Sequence, residues 1–112
     1  MQITIETMKR CDLVTVSGQI DSATAPDLEQ ALVGLIDGGK RHLVVNLRDV
    51  DFVTSAGLSA LLAARIKLRR KTPPGDVVIS EVSSVLMETF ELVGFHHVFT
   101  FYDLDAEAVG SF

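Results

Sequence analysis

The sequence predicts an α/β fold whose sheet is parallel in its later part and opens with an antiparallel hairpin. Two observations carry this. Strand and helix signals alternate in the order β-β-α-β-α-β-α-β-α, and such alternation builds a parallel sheet joined by crossover helices. One segment, Leu43-Val44-Val45-Asn46-Leu47, is almost continuously apolar, as suits a central strand covered on both faces.

Each element has its own signal. Gln2 to Glu6 alternates polar and apolar, with Ile3 and Ile5 on one face, a strand pattern. Lys9-Arg10-Cys11-Asp12 reads as a turn. Leu13 to Ile20 reads as the second strand of a hairpin. Thr24 is placed to cap a first helix, with Pro26 tolerated in its first turn and Asp27 three positions on. Leu28, Leu32, Leu35 and Ile36 share one face of that helix, and Gly38-Gly39 ends it. After the central strand, Arg48 to Thr54 reads as a loop. A second helix starts at Ser55, with Leu58, Leu61, Leu62 and Ile66 as its buried stripe. Arg65, Lys67, Arg69, Arg70 and Lys71 crowd its last turns, where cations suit the helix dipole. Thr72-Pro73-Pro74-Gly75 stops it. Asp76 to Ser80 is a further strand. Ser83 or Ser84 caps a third helix with Leu86, Phe90 and Val93 inward. Val98 to Tyr102 is a last strand, and Asp103 to Val109 a short final helix.

Composition bounds the function. The chain has 112 residues, 47% hydrophobic and 22% charged. These values suit one folded domain spanning residues 1–112 and argue against disorder. The net charge of −5 disfavours nucleic acid as a direct partner. The lone Cys11 excludes an internal disulfide and fits a reduced, cytoplasmic setting. Its simplest role is a half-buried strand residue. No signal peptide and no apolar run of membrane-spanning length is present, so no membrane insertion is expected.

The informative segment is Asp49-Val50-Asp51-Phe52-Val53-Thr54-Ser55-Ala56-Gly57-Leu58, which joins the central strand to a helix. Ligand and partner sites of open α/β sheets favour the carboxyl ends of strands. Ser55 is expected at the helix N-cap, where its hydroxyl can meet unpaired backbone N–H groups. The plain reading is a cap and nothing more. The sharper one is a phosphorylation site, because a phosphate there would meet helix N–H groups and add roughly −1.5 to −2 charge. Asp21, Asp49 and Asp51 would then repel it. Gly57 is expected to keep the first turn uncluttered for a partner.

These residues resemble the STAS domain, and within it the stand-alone anti-sigma factor antagonists of bacteria. That family's recurring segment is a strand, then Asp-Ser-(Ser, Thr or Ala)-Gly-Leu, then a helix. Here Thr54-Ser55-Ala56-Gly57-Leu58 stands in that place, with Thr54 where Asp is frequent. Gly18-Gln19-Ile20-Asp21 matches the family's strand ending, and Val85 to Phe95 echoes its third helix. The resemblance implies a mixed sheet of four or five strands with helices mainly on one face. It implies a regulator rather than an enzyme, a monomer or weak dimer that needs no cofactor. Its partners would be an anti-sigma factor that is also a serine kinase, and a metal-dependent serine phosphatase. Ser55 is then the phosphorylated switch, with Thr54 a competing acceptor. Asp21, Thr54, Ala56, Gly57 and Leu58 would form the partner surface. STAS domains also serve as non-phosphorylated scaffold subunits in signalling complexes or beside membrane transporters, which is the alternative.

Other candidates reduce to simpler readings. Asp49 and Asp51 read as solvated loop acids rather than a receiver's acidic pair, since no lysine closes a late strand. The Arg65–Lys71 run reads as a solvated helix end. His96 and His97 lack partners at zinc-binding spacing, and no P-loop or nucleophile elbow is present.

Overall fold

A computed structural model describes all of Met1–Phe112. The elements run β1 (Gln2–Thr7), β2 (Asp12–Ile20), α1 (Ala25–Asp37), β3 (His42–Val53), α2 (Ser55–Arg69), β4 (Asp76–Ser80), α3 (Ser84–Leu92), a 3₁₀ turn at Phe95–His97, β5 (Phe101–Tyr102) and α4 (Asp105–Gly110). They form one five-stranded sheet in the order β1-β2-β3-β4-β5. β1 pairs antiparallel with β2, and every later pair is parallel.

The central run reads as expected, because β3 is covered on both faces. Leu43, Val45 and Leu47 join the larger core with Leu28, Leu32 and Ile36 of α1, Leu61 and Leu68 of α2, and Leu86 and Phe90 of α3. Val44 faces a smaller cluster with Cys11, Leu13, Val78 and Ala108 of α4. Three helices therefore cover one face and α4 part of the other. Phe90 is wholly buried, with Phe101 edge-on at 5.2 Å. Such a pair adds about 0.5–1.5 kcal/mol beyond area burial.

Several boundaries differ from the sequence reading, each for a physical reason. Arg48 to Val53 is strand, not loop: β3 continues along β2, through register shifts between Thr15 and Ser17 and between Gly18 and Gln19. Bulges of this kind break the alternation on which strand recognition depends. On α2 the buried positions are Gly57, Leu58, Ala60, Leu61, Ala64 and Leu68. Ile66 is 40% exposed, because small residues bring the helix close and shift the inward stripe. Val93 is outward at 51% exposure, since α3 ends at Leu92 and the chain turns through a left-handed Gly94. The last strand shortens to Phe101–Tyr102 because the 3₁₀ turn takes up the residues before it. Cys11 is fully buried just before β2, and burial, with the adjacent Asp12 carboxylate, pushes its thiol pKa up. The turn before it closes through Met8 N–H donating to Cys11 O at 2.9 Å.

Gly75 marks a close approach. A Cβ there would lie 2.0 Å from Arg41 O, so only glycine lets the α2–β4 connection pass the start of β3.

Candidate functional site

The carboxyl ends of β2 and β3 and the starts of α1 and α2 meet at one corner. After β2, the chain turns on Asp21. Its carboxylate accepts from Ala23 N–H at 2.9 Å and Thr24 N–H at 3.1 Å. The Thr24 hydroxyl accepts from Asp21 N–H at 2.9 Å and donates to Gln19 O at 2.8 Å. The expected Thr24 cap therefore takes another form: Thr24 is the N-cap by position, but its side chain caps no helix N–H. The backbone N–H groups of Thr24 and then Ala23 hold the Asp21 carboxyl below its ordinary pKa range. Asp21 is thus a turn-building residue, whatever else it does at the surface.

The second half of the corner is the β3–α2 turn. Thr54, not Ser55, is the N-cap, with extended backbone (φ −87°, ψ 175°) and no side-chain cap bond. Ser55 is the first helical residue. The cap moves one residue because Thr54 N–H donates to Ile20 O at 2.9 Å, which keeps Thr54 in line with the strand. The Thr54 hydroxyl is half-buried and reaches the same carbonyl at 3.4 Å. Ser55 is exposed. The first intrahelical bond is Leu58 N–H to Thr54 O at 3.0 Å, so the three preceding N–H groups are first-turn donors without helix partners.

Gly57 and Leu58 are buried, which changes the reason for the glycine. A Cβ at Gly57 would lie 2.5 Å from Ile20 Cγ2 and 2.7 Å from Val53 Cγ1. The glycine serves the inner side of the turn, letting α2 seat on the ends of β2 and β3. Ala56 is half-buried and lines a groove of about 270 Å³ with Ser22, Ala25, Pro26, Glu29, Ser59 and Ala60. Sequence reading missed this α1–α2 groove; the signal for it was the small residues Ala25, Ala56 and Ala60 at facing helix positions.

Asp49 and Asp51 are exposed along the end of β3, in strand rather than loop. His96 and His97 are exposed in the 3₁₀ turn, and no group of three or more His, Cys, Asp or Glu side chains is arranged to hold a metal ion. No helix is long and apolar enough to cross a membrane. A polar cluster that the sequence reading did not find lies on the α4 side. Asp105 accepts from Asn46 Nδ2 at 2.8 and 2.9 Å and from the Ser80 hydroxyl at 2.5 Å. It ties α4 to the middle of β3 and the end of β4, and satisfies two buried side chains.

Known proteins share this arrangement. The STAS domain family matches residues 2–108. BtrV of Bordetella bronchiseptica, a candidate anti-sigma factor antagonist, is 31% identical over 99 residues, covering 88% of this chain and 84% of BtrV. The crystal structure of an anti-sigma factor antagonist from Mycobacterium paratuberculosis superposes with a TM-score of 0.88 at 28% identity, covering 98% of this chain and 92% of that one. The Bacillus cell fate determinant SpoIIAA in its phosphorylated form shares the fold, with a TM-score of 0.76 at 15% identity over 98% of each chain. With its sheet order, its strand-to-helix turn and its sequence all in agreement, the chain belongs to the STAS domain family and groups there with the anti-sigma factor antagonists.

Proposed function

We propose that this protein is an anti-sigma factor antagonist that binds an anti-sigma factor with serine kinase activity, thereby releasing a sigma factor, and that phosphorylation of Ser55 switches it off. The observation that carries the reading is Ser55 itself: exposed, first in α2, on the turn where the family motif stands. Thr54 is the poorer acceptor, because its hydroxyl is half-buried against Ile20 O.

The chemistry of the switch follows from charge and location. A phosphate on Ser55 would add roughly −1.5 to −2 charge at neutral pH. The first-turn N–H groups and the helix dipole favour an anion there, so the fold tolerates the modification. A partner surface matched to the neutral hydroxyl would not, with Asp21 and Asp51 already adding negative charge around the corner. The groove between α1 and α2, reached from Ala56, is the adjoining surface for the kinase. A metal-dependent phosphatase would reverse the step.

The test is intact mass with fragmentation after incubation with Mg-ATP and candidate anti-sigma kinases. One phosphate on Ser55, absent from Ser55→Ala, is the expected result. Labelling that persists in Ser55→Ala would move the acceptor to Thr54. No labelling by any such kinase would return the protein to the scaffold class of STAS domains.

A further inference from the structure

Basic charge is sorted along the strand direction. Of the ten lysines and arginines, all but Arg48 sit toward the amino-terminal ends of the parallel strands. Lys9, Arg10, Lys40 and Arg41 precede β2 and β3, and the rest lie in Arg65–Lys71 at the end of α2. Arg65 Nε to Asp76 at 3.5 Å and Lys67 Nζ to Asp37 at 2.8 Å tie that segment to this end. Arg70 and Lys71 make no ion pair. The opposite end carries Asp21, Asp51, Glu81 and Asp103 near or just beyond the strand ends, with Asp49 four residues back from the end of β3. The molecule measures 33 × 27 × 25 Å, several times the screening length of about 8 Å at physiological salt. A partner at one end therefore responds to that end, not to the net charge.

Each end adds an exposed apolar side chain to its charge. On α2, a depression of about 590 Å³ is lined by Ala63, Ile66, Lys67, Arg70 and Lys71, an apolar floor with a cationic rim. At the far end Phe52 is 43% exposed, beside exposed Asp51 and near exposed Asp49. Asp51 and Phe52 are consecutive yet both exposed because the register jumps there: Gly18 pairs with Val50, and Gln19 with Phe52.

The geometry points to a head-to-tail contact between copies of this chain, in which the Asp51–Phe52 corner of one copy docks in the α2 depression of the next. Phe52 covers Ala63 and Ile66, and the carboxylates meet Arg70 and Lys71. A nucleic-acid backbone would meet the cations and leave the apolar floor uncovered, whereas the Asp51–Phe52 corner of a second copy brings a carboxylate to the rim and a ring to the floor. An anionic leaflet also offers both contacts, and vesicle binding separates it from self-association. The two surfaces differ, so the contact is heterologous and propagates rather than closing on a two-fold axis. It does not depend on Ser55 being a phosphate acceptor.

Sedimentation velocity on the full chain, from about 10 μM to about 1 mM, tests it. The expected result is concentration-dependent association, weakened on the order of tenfold by roughly 0.5 M salt. Arg70→Glu/Lys71→Glu and Asp51→Ala/Phe52→Ala should each be monomeric, with wild-type circular dichroism. Mixed together, they should form a one-to-one pair that grows no further, since each retains one intact surface. Asp51→Asn, a milder change, should weaken association partially. A chain that stays monomeric throughout, association that survives either double substitution, or a mixture that stays monomeric would overturn the contact. Binding to anionic vesicles without self-association would overturn it in favour of a lipid surface.

Discussion

Replacing Gly57 by Ala tests how the Ser55 turn is held. In a helix the exchange normally stabilises, by about 0.8–1.0 kcal/mol. Here the new methyl would stand 2.5 Å from Ile20 Cγ2 and 2.7 Å from Val53 Cγ1. Ile20 and Val53 are both buried in the main core. Both are β-branched and stiff at χ1, so neither can swing its methyl away. Overpacking of this kind costs about 1–3 kcal/mol, and the stiffness of both neighbours places it toward the upper part. The net expectation is a loss of about 1–2 kcal/mol, with the start of α2 lifted from the sheet. Urea denaturation should show a lower midpoint at unchanged slope. Val53→Ala opens space for the methyl, so the double substitution should be less destabilised than the sum of the singles, by about 0.5 kcal/mol or more. A neutral or stabilised Gly57→Ala, or strict additivity with Val53→Ala, would refute the inward role of this glycine.

Other consequences follow from the same geometry. Asp105→Ala should cost about 1–3 kcal/mol, because the Asn46 amide and Ser80 hydroxyl lose their acceptor; hydrogen exchange should rise in α4, and Asp105→Asn should be milder. Asp21 and Asp37 both have pKa values held down in the folded state, the first by backbone N–H groups of Thr24 and Ala23 and the second by the Lys67 ammonium. Their stabilisation is therefore present above the unfolded carboxylate pKa of about 3.9 and lost as pH falls through the folded values; carboxyl NMR titration should show both midpoints below that of a free Asp side chain. Asp21→Asn keeps an acceptor for the turn and removes the charge, so altered kinase affinity with unchanged folding would mark a partner contact, and unchanged affinity would leave Asp21 purely structural. Ser55→Asp should weaken kinase binding in calorimetry while leaving the thermal midpoint near wild type; equal affinity would count against the switch.

Local pattern determined most of the architecture. The alternation of Gln2–Glu6, the apolar run at Leu43–Leu47, the glycine stop at Gly38-Gly39 and the Ser83 cap, whose hydroxyl accepts from Leu86 N–H at 3.1 Å, all depend on neighbours in the chain. The same holds for Ser55 as the residue of interest, because a strand-to-helix turn with that motif is a short-range feature. Tertiary contact decided the rest. Thr54 became the cap because Ile20, 34 residues earlier, supplies its hydrogen-bond acceptor. Gly57 is required by side chains of two other elements rather than by exposure. The sequence around Arg48–Val53 lacked the strand's period because bulges against β2 interrupt it. The burial of Asn46 and Ser80 is tolerable because Asp105, far along the chain, reaches back to them. Spacing along one segment reports periodicity and caps, whereas close packing and paired polar groups depend on what another segment brings within a few ångströms, and that is set only when the chain folds.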